Sequence, residues 1–305
     1  MGWRITGVAT RTMGWIADEK GLEVDGLLAR WPDAQKTAAR VQDVRSWLKT
    51  AGADVVFEAT SLNAHDGQPA IDHLRAALEA GAHAITANKG PVVHAYEELI
   101  ELAARRGRRF LFESTVMDGA PIFSLFRENL PLVHLRGFRA ILNSTTNLIL
   151  SGMEGGLSFA AALEKAQAMG IAETDPSHDV EGWDAAVKTV VLAKVLMGAP
   201  LRLEEVEREG IGTLSGEAVQ AARASGKAYK LVCRAQRTET GVRASVRPEK
   251  IPLDDPLAWV SGTSSIVCFE SDIFPGLAIT ENNPGLETTA YGMLADFVKA
   301  AGDRG

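Results

Sequence analysis

The sequence predicts an α/β fold in two parts: a parallel sheet with helices on both faces, followed by an α+β domain. Three observations carry this. The chain has 305 residues, which at roughly 100–200 residues per domain is about two domains. Its first half alternates short apolar runs with helical patterns at the spacing of successive βαβ units. Its second half turns to longer helices and to runs that alternate like antiparallel strands. At 46% hydrophobic and 23% charged residues, the chain has apolar surface enough for a core without staples, and disorder is excluded.

Taken in order, Trp3–Thr10 (WRITGVAT) reads as a strand. Residues 34–50 read as a helix, with Ala38, Val41, Val44, Trp47 and Leu48 at helical spacing. Ala53–Ala59 is a β-branched strand, and Pro69–Ala80 a helix opened by Pro, with Ile71, Leu74 and Leu78 as its stripe. Ala82–Thr86 is a strand, Val92–Arg106 a helix and Arg109–Glu113 a strand. Parallel sheets bind ligands beyond the carboxyl ends of their strands, so the loops after Thr10, Ala59, Ala87 and Glu113 are the places to look. In the second half, Leu135–Leu142 is strand-like, Thr146–Glu154 and Phe159–Met169 are helical, and Trp183–Met197 is a helix apolar nearly all round. Tyr229–Ala235, Val242–Val246 and Ser264–Glu270 alternate as strands, and Thr288–Ala300 is the last helix.

Several function classes fall away. The net charge is −7 and the Lys and Arg are scattered, which argues against nucleic acid. Two cysteines, Cys233 and Cys268, cannot make a disulfide framework or a Cys-based zinc cluster, and they suit a reducing cytoplasm. No apolar run reaches the ~18–20 residues of a membrane helix, and the first residues lack the apolar core of a signal peptide. The expectation is a cytoplasmic enzyme acting on a small molecule.

Four places can carry chemistry. Asp184 and Lys188 lie four apart on the apolar helix and face the same way. On an ordinary helix they would form a surface ion pair. Here their neighbours are Trp183, Ala185, Ala186, Val187, Val190 and Val191, so the pair is desolvated, which predicts a lysine pushed toward neutrality and suited to proton transfer. Upstream, Glu173, Asp175 and Asp179 are too dense for a plain turn and could hold a substrate ammonium. Next, Asn88-Lys89-Gly90-Pro91 joins a strand end to a helix start, where a Lys is disfavoured by the dipole unless an anion is near. Then Glu113–Pro121 forms the crossover to the second domain. Finally Arg11 ends the first visible strand; if that strand is the second of a dinucleotide fold, an Arg there suits the 2′-phosphate of NADP. The one near match to a Gly-rich phosphate loop, Gly210–Gly216, follows an acidic stretch and not a strand, so it is rejected.

These residues also carry a resemblance. Ile141–Asn147, Ala166–Gly170, Glu173-x-Asp-Pro176, Asp179-x-x-Gly182, Asp184 and Lys188 resemble homoserine dehydrogenase, as do Ala87–Lys89, Glu113-x-Thr-Val116 with Gly119 and Pro121, and Thr289–Tyr291. The resemblance covers almost the whole chain. It implies an incomplete Rossmann-type domain at 1–118 with the C-terminal helix 286–305, and a catalytic and dimerisation domain at 119–285. It implies reduction of L-aspartate 4-semialdehyde to L-homoserine with NADP or NAD, in threonine and methionine biosynthesis, by a homodimer.

Position by position it makes Lys188 and Lys89 catalytic and Glu173, Asp179 and Asp184 substrate-binding. It sets Arg11, Thr60, Ser61, Asn88 and Lys89 at the cofactor, and a sodium ion on backbone carbonyls of Glu113, Val116, Asp118 and Ala120. The sequence departs at Met117-Asp118, where the family has small residues, and at Ser144, where Gly is commoner. Trp3–Thr10 matches the family's second strand, so a first strand, Gly-rich turn and helix of roughly 20–30 residues are expected upstream; no C-terminal regulatory domain is expected. Two rival readings are a non-catalytic remnant that binds a ligand or dimerises, and a dehydrogenase of a related hydroxy amino acid.

Overall fold

The computed structural model describes residues 2–11, 14–25, 39–41 and 43–302. The chain divides into two compact units, one of residues 1–112 with 293–305 and one of residues 113–292.

The first unit holds two sheets. Strands β1 (Gly7–Thr10), β2 (Gly14–Ala17) and β3 (Ala39–Val41) form an antiparallel sheet in that order. The expected strand at 3–10 is thus shorter, and it does not join a parallel sheet. Thr10 pairs with Gly14, so the chain doubles back after Arg11 and the strand finds its neighbour at once. The expected helix at 34–50 is also corrected: residues 39–41 are a strand and helix α1 is Val44–Ala51. Asp43 decides this start, because its carboxylate accepts the Ser46 amide and caps the first turn. Residues 34–38 of that expected helix lie outside the described ones. Trp47 seals α1 to the antiparallel sheet, its Nε1 donating to the Ile16 carbonyl at 2.8 Å.

The second sheet of this unit is parallel: β4 (Val55–Glu58), β5 (His83–Thr86) and β6 (Phe110–Leu111), in that order. Helices α2 (Ala70–Glu79) and α3 (Lys89–Arg105) make its crossovers. The sheet is where the βαβ pattern puts it, although the last strand stops at Leu111 and Glu113–Thr115 form a 3-10 turn instead of continuing it. One side of its core is Leu48, Val56, Ala76, Ala77 and Ala82; another is Ile85, Leu111 and Ala300 with Phe297.

In the second unit a six-stranded mixed sheet runs β12-β11-β7-β9-β10-β8. Its strands are β7 (Leu135–Ile141), β8 (Glu207–Arg208), β9 (Lys227–Thr238), β10 (Gly241–Pro252), β11 (Ser265–Ser271) and β12 (Leu277–Glu281). All pairs are antiparallel except β8 with β10. Its helices are α4 (Ser144–Glu154), α5 (Phe159–Ala168), the short α6 (Ser177–Val180), α7 (Trp183–Met197) and α8 (Gly216–Ala224). The last helix, α9, is Leu286–Gly302.

Helix α7 is the centre of this unit: Ala185, Ala186, Val187, Val190, Val191 and Leu192 are wholly buried. Each buried Val or Leu contributes roughly 1.5–3 kcal/mol, so the position of α7 on the sheet is strongly determined. Its place is read from two contacts, Cys233 Sγ to the Ala185 carbonyl at 3.8 Å and Gly182 against Val246. Cys233 and Val246 are cross-strand partners on one face, which is the face α7 covers. Among the described residues no helix is long and apolar enough to cross a membrane.

Candidate active site

In the first unit the carboxyl end of the parallel sheet is a closed hydrogen-bond network. Glu58, the last residue of β4, is buried. One of its carboxylate oxygens accepts from the Thr60 amide at 2.8 Å and from the Thr60 hydroxyl, and the other from Thr86 Oγ1 at 2.7 Å. Thr86 Oγ1 in turn accepts the Asn88 amide at 2.9 Å. Asn88 Nδ2 donates to the carbonyls of Thr60 (3.1 Å) and Ser61 (3.4 Å), while its Oδ1 caps α3 by accepting the Gly90 amide. The structure therefore brings Thr60, Ser61 and Asn88 together, with Lys89 as the first residue of α3.

Glu58 is the residue sequence reading missed; a carboxylate ending a buried strand was its only signal. The edge fits a dinucleotide: Thr60 and Ser61 are exposed, and the backbone at Gly90 lies so close to the preceding loop that a Cβ there would stand 3.0 Å from Gly67 Cα. Arg11 is exposed in the turn after β1 and belongs to the antiparallel sheet, away from this network in the topology.

In the second unit the site is built at the first turn of α7. Gly182 precedes it with φ of +83°, a left-handed turn that glycine adopts without strain. The turn sets Asp184 and Lys188 one above the other, Lys188 Nζ lying 3.2 Å from Asp184 Oδ2. Lys188 also donates to the Leu142 carbonyl at 2.7 Å. Asn143 holds both acids: its Nδ2 donates to Asp179 at 2.6 Å and to Asp184 at 3.1 Å. Its Oδ1 caps α4 through the Thr146 amide at 2.8 Å.

The electrostatics correct the expectation of a lysine near neutrality. Burial by itself pushes the Lys188 ammonium down, but Asp184, Asp118 and Asp179 together outweigh it, and its pKa is held above the ordinary lysine value. Lys188 is therefore an ammonium at neutral pH. Glu173, by contrast, is exposed at the start of the acidic loop, where its carbonyl accepts from Gln167 Nε2 at 3.1 Å. His178 is exposed, and burial pushes the Cys233 thiol up to about 12, so neither cysteine nor histidine chemistry is offered here.

The segment Glu207–Gly212, which runs into the Gly210–Gly216 stretch rejected as a phosphate loop, straps the acidic loop in place. Arg208 lies over the Trp183 ring at 3.6 Å and donates to the Glu181 carbonyl. Ile211 N donates to the Val180 carbonyl at 2.9 Å, and a Cβ on Gly210 would collide with that carbonyl.

The crossover 113–120 is held by its own bonds. The buried Glu113 carboxylate accepts the amides of Phe123 (2.7 Å) and Ser124 (2.9 Å). Ala120 N donates to Met117 O, and Ala120 O accepts from Ile122 N at 2.8 Å. Met117 and Asp118 both take left-handed backbone, and the Asp118 carboxylate accepts from Thr289 Oγ1 at 2.7 Å. The backbone carbonyls of Glu113, Val116, Asp118 and Ala120, which the resemblance assigns to a sodium ion, lie within this one segment. Among the described residues no group of three or more His, Cys, Asp or Glu could hold a metal.

Comparisons with known proteins cover both units. A family model described as homoserine dehydrogenase matches residues 121–298, and one described as homoserine dehydrogenase, NAD binding domain, matches residues 4–113. The chain is 37% identical over 302 residues to a Pseudomonas canavaninivorans protein named NAD(+)-dependent homoserine dehydrogenase, covering 97% of this chain and 86% of that one. It is 36% identical over 299 residues to the homoserine dehydrogenase of Methanocaldococcus jannaschii, covering 95% and 86%. A hyperthermophilic archaeal homoserine dehydrogenase in complex with NADPH matches in structure with a TM-score of 0.80 at 26% identity, over 96% of this chain and 86% of that one.

Proposed function

The chain belongs to the homoserine dehydrogenase family, and from that premise we propose that it interconverts L-aspartate 4-semialdehyde and L-homoserine with a nicotinamide dinucleotide. The observation that carries the reading is the Asn143–Asp179–Asp184–Lys188 constellation. The bound cofactor supplies or accepts the hydride at the substrate carbon. Lys188, kept as an ammonium by its carboxylates, hydrogen-bonds the aldehyde oxygen and gives it a proton as the alkoxide develops. In the reverse direction the same group must first lose its proton, so homoserine oxidation rises with pH. Asp184 orients the ammonium, and Asn143 fixes Asp184 and Asp179 against each other. Glu173, at the open end of the acidic loop, and Asp179 meet the amino acid as it enters. Lys89 is the second essential lysine and meets an anion at the start of α3.

Thr60, Ser61, Asn88 and the start of α3 hold the dinucleotide. The cofactor is NADP or NAD; with Arg11 in the turn of the antiparallel β1–β2 pair, Arg11→Ala is expected to leave the KM for either dinucleotide unchanged. A sodium ion on the carbonyls of Glu113, Val116, Asp118 and Ala120 would be structural, and exchanging sodium for potassium should leave kcat unchanged. The protein acts as a cytoplasmic homodimer in threonine and methionine biosynthesis. The test is direct: homoserine with each dinucleotide, followed by nicotinamide absorbance. Turnover of homoserine supports the reading. Turnover of another hydroxy amino acid in preference to homoserine replaces it.

A further inference from the structure

Glu58 ends β4 at only 3% exposure, yet its carboxylate is met by neutral donors alone. These are the Thr60 amide, the Thr60 hydroxyl and the Thr86 hydroxyl. Acidic side chains are almost never fully buried unless paired. A buried charge without a counter-charge is costly beside a neutral residue of similar shape. Packing therefore gives no reason for a glutamate at this position.

The hydrogen bonds around it close a ring. Glu58 accepts from the Thr60 amide at 2.8 Å, and the Thr60 carbonyl accepts from Asn88 Nδ2 at 3.1 Å. The Asn88 amide donates to Thr86 Oγ1 at 2.9 Å, and the Thr86 hydroxyl returns to Glu58 at 2.7 Å. Each bond has a fixed direction. A backbone amide can only donate, so Thr86 Oγ1 accepts from Asn88 and its single proton points to Glu58. An ionised carboxylate can only accept, so it takes this bond and both Thr60 donors without conflict. Glu58 and Thr86 are register partners on parallel β4 and β5, so the ring ties together the carboxyl ends of two neighbouring strands.

Two connections lead out of the ring to the ligand edge. Asn88 Nδ2 also donates to the Ser61 carbonyl at 3.4 Å, which holds the exposed Thr60–Ser61 loop. Asn88 Oδ1 accepts the Gly90 amide at 3.0 Å and starts α3, whose first residue is Lys89. There is no slack at that start. A Cβ on Gly90 would stand 3.0 Å from Gly67 Cα and 3.2 Å from the Asn63 carbonyl oxygen.

We propose that Glu58 is a positioning residue for the dinucleotide: through Thr86 and Asn88 it sets the start of α3 against the Thr60–Ser61 loop. This rests on the dinucleotide reading of that edge. Glu58 acts through its neighbours and not by contact with the ligand.

The experiment measures the dinucleotide KM and the homoserine KM in variants of the ring. Glu58→Met keeps the size of the side chain and removes its acceptors. Its dinucleotide KM should rise about tenfold or more, the scale of one lost hydrogen bond to a charged group. Its homoserine KM at saturating dinucleotide should not change. Glu58→Gln should lose less, because an amide still accepts from Thr60 on one side and donates to Thr86 Oγ1 on the other. Thr86→Val opens the same ring and should raise the dinucleotide KM, while Thr86→Ser keeps the hydroxyl and should restore it. Glu58→Met combined with Thr86→Val should be no worse than the worse single variant, since residues of one network do not add.

A Glu58→Met protein with a lower Tm and unchanged dinucleotide KM would overturn the assignment. So would equal rises in both KM values, or additive losses in the double variant. Calorimetric titration with NAD and NADP makes the comparison without turnover. Wild-type protein that binds a dinucleotide without oxidising homoserine removes the dehydrogenase reading alone, and weaker binding in Glu58→Met still supports the assignment. Wild-type protein that binds neither dinucleotide overturns both. Should Glu58→Met not fold, Thr86→Val against Thr86→Ser decides by the same affinity.

Discussion

Among the described residues of the second unit, Lys188 is half-buried and Lys230 buried, and they are held in opposite ways. Lys188, on α7, faces Asp184 at 3.2 Å with Asp118 and Asp179 beyond, and its pKa is raised. Lys230, on β9, is only 1% exposed; it donates to Asn147 Oδ1 (2.9 Å) and to the Val260 carbonyl (2.7 Å). Burial pushes the Lys230 ammonium down, Glu154 opposes this and Arg223 adds to it. Burial therefore does not determine what a lysine becomes. Carboxylates keep Lys188 an ammonium at neutral pH. Neutral oxygens make Lys230 a cross-link between α4 and the loop before β11, since Asn147 belongs to α4 and Val260 to that loop.

The largest effect should separate the two by function. Lys188→Ala is expected to lower kcat by ~10²-fold or more, the contribution of a general acid, while Lys230→Met keeps kcat near that of the wild type. A Lys188→Ala enzyme with near-normal kcat would sink the proton-transfer role.

The next effect separates them by stability. Lys230→Met leaves Asn147 Oδ1 and the Val260 carbonyl without a donor, at a cost of about 1–3 kcal/mol for each buried group. Urea unfolding of the folded variant measures it.

The two lysines also give opposite pH slopes. The stability due to Lys188, with its raised pKa, is fully present below 10.5 and is lost as pH rises through the folded value. Lys230, with its lowered pKa, stabilises more as pH rises toward 10.5 and loses that share as pH falls through the folded value. Difference curves of wild type against each lysine variant should slope in opposite directions.

The smallest effect concerns Glu281. Burial first, and Asp118 second, raise its folded pKa to about 7 from the ordinary 4.5, so its ionised form is destabilising and stability falls as pH rises through that window. Glu281→Gln should melt above the wild type at pH above about 7, and the gain should vanish below 4.5, where wild-type Glu281 is protonated in both states. A gain that persists at low pH would point instead to packing.

Much of this was legible before any coordinate. The β-branched run Val55–Phe57 and the helix pattern after Pro69 announce a parallel unit, because period and length alone distinguish them. Asp184 and Lys188 announce themselves because helical spacing brings residues four apart to one face. The hairpin of β1 and β2 was not legible as such, since four-residue strands carry too little pattern to show which partner they choose. The strand at 39–41 was lost in the helical spacing of its neighbours.

The sequence by itself determined the α/β class, the apolar helix α7 and its acid–lysine pair, because each depends on residues close along the chain. Only the tertiary structure decided the charge of Lys188, the linking role of Lys230 and the arrival of Glu281 beside Ser265. Those depend on strand register and on carboxylates brought from distant segments. Electrostatic energy falls with distance in space, and separation along the chain does not reveal that distance.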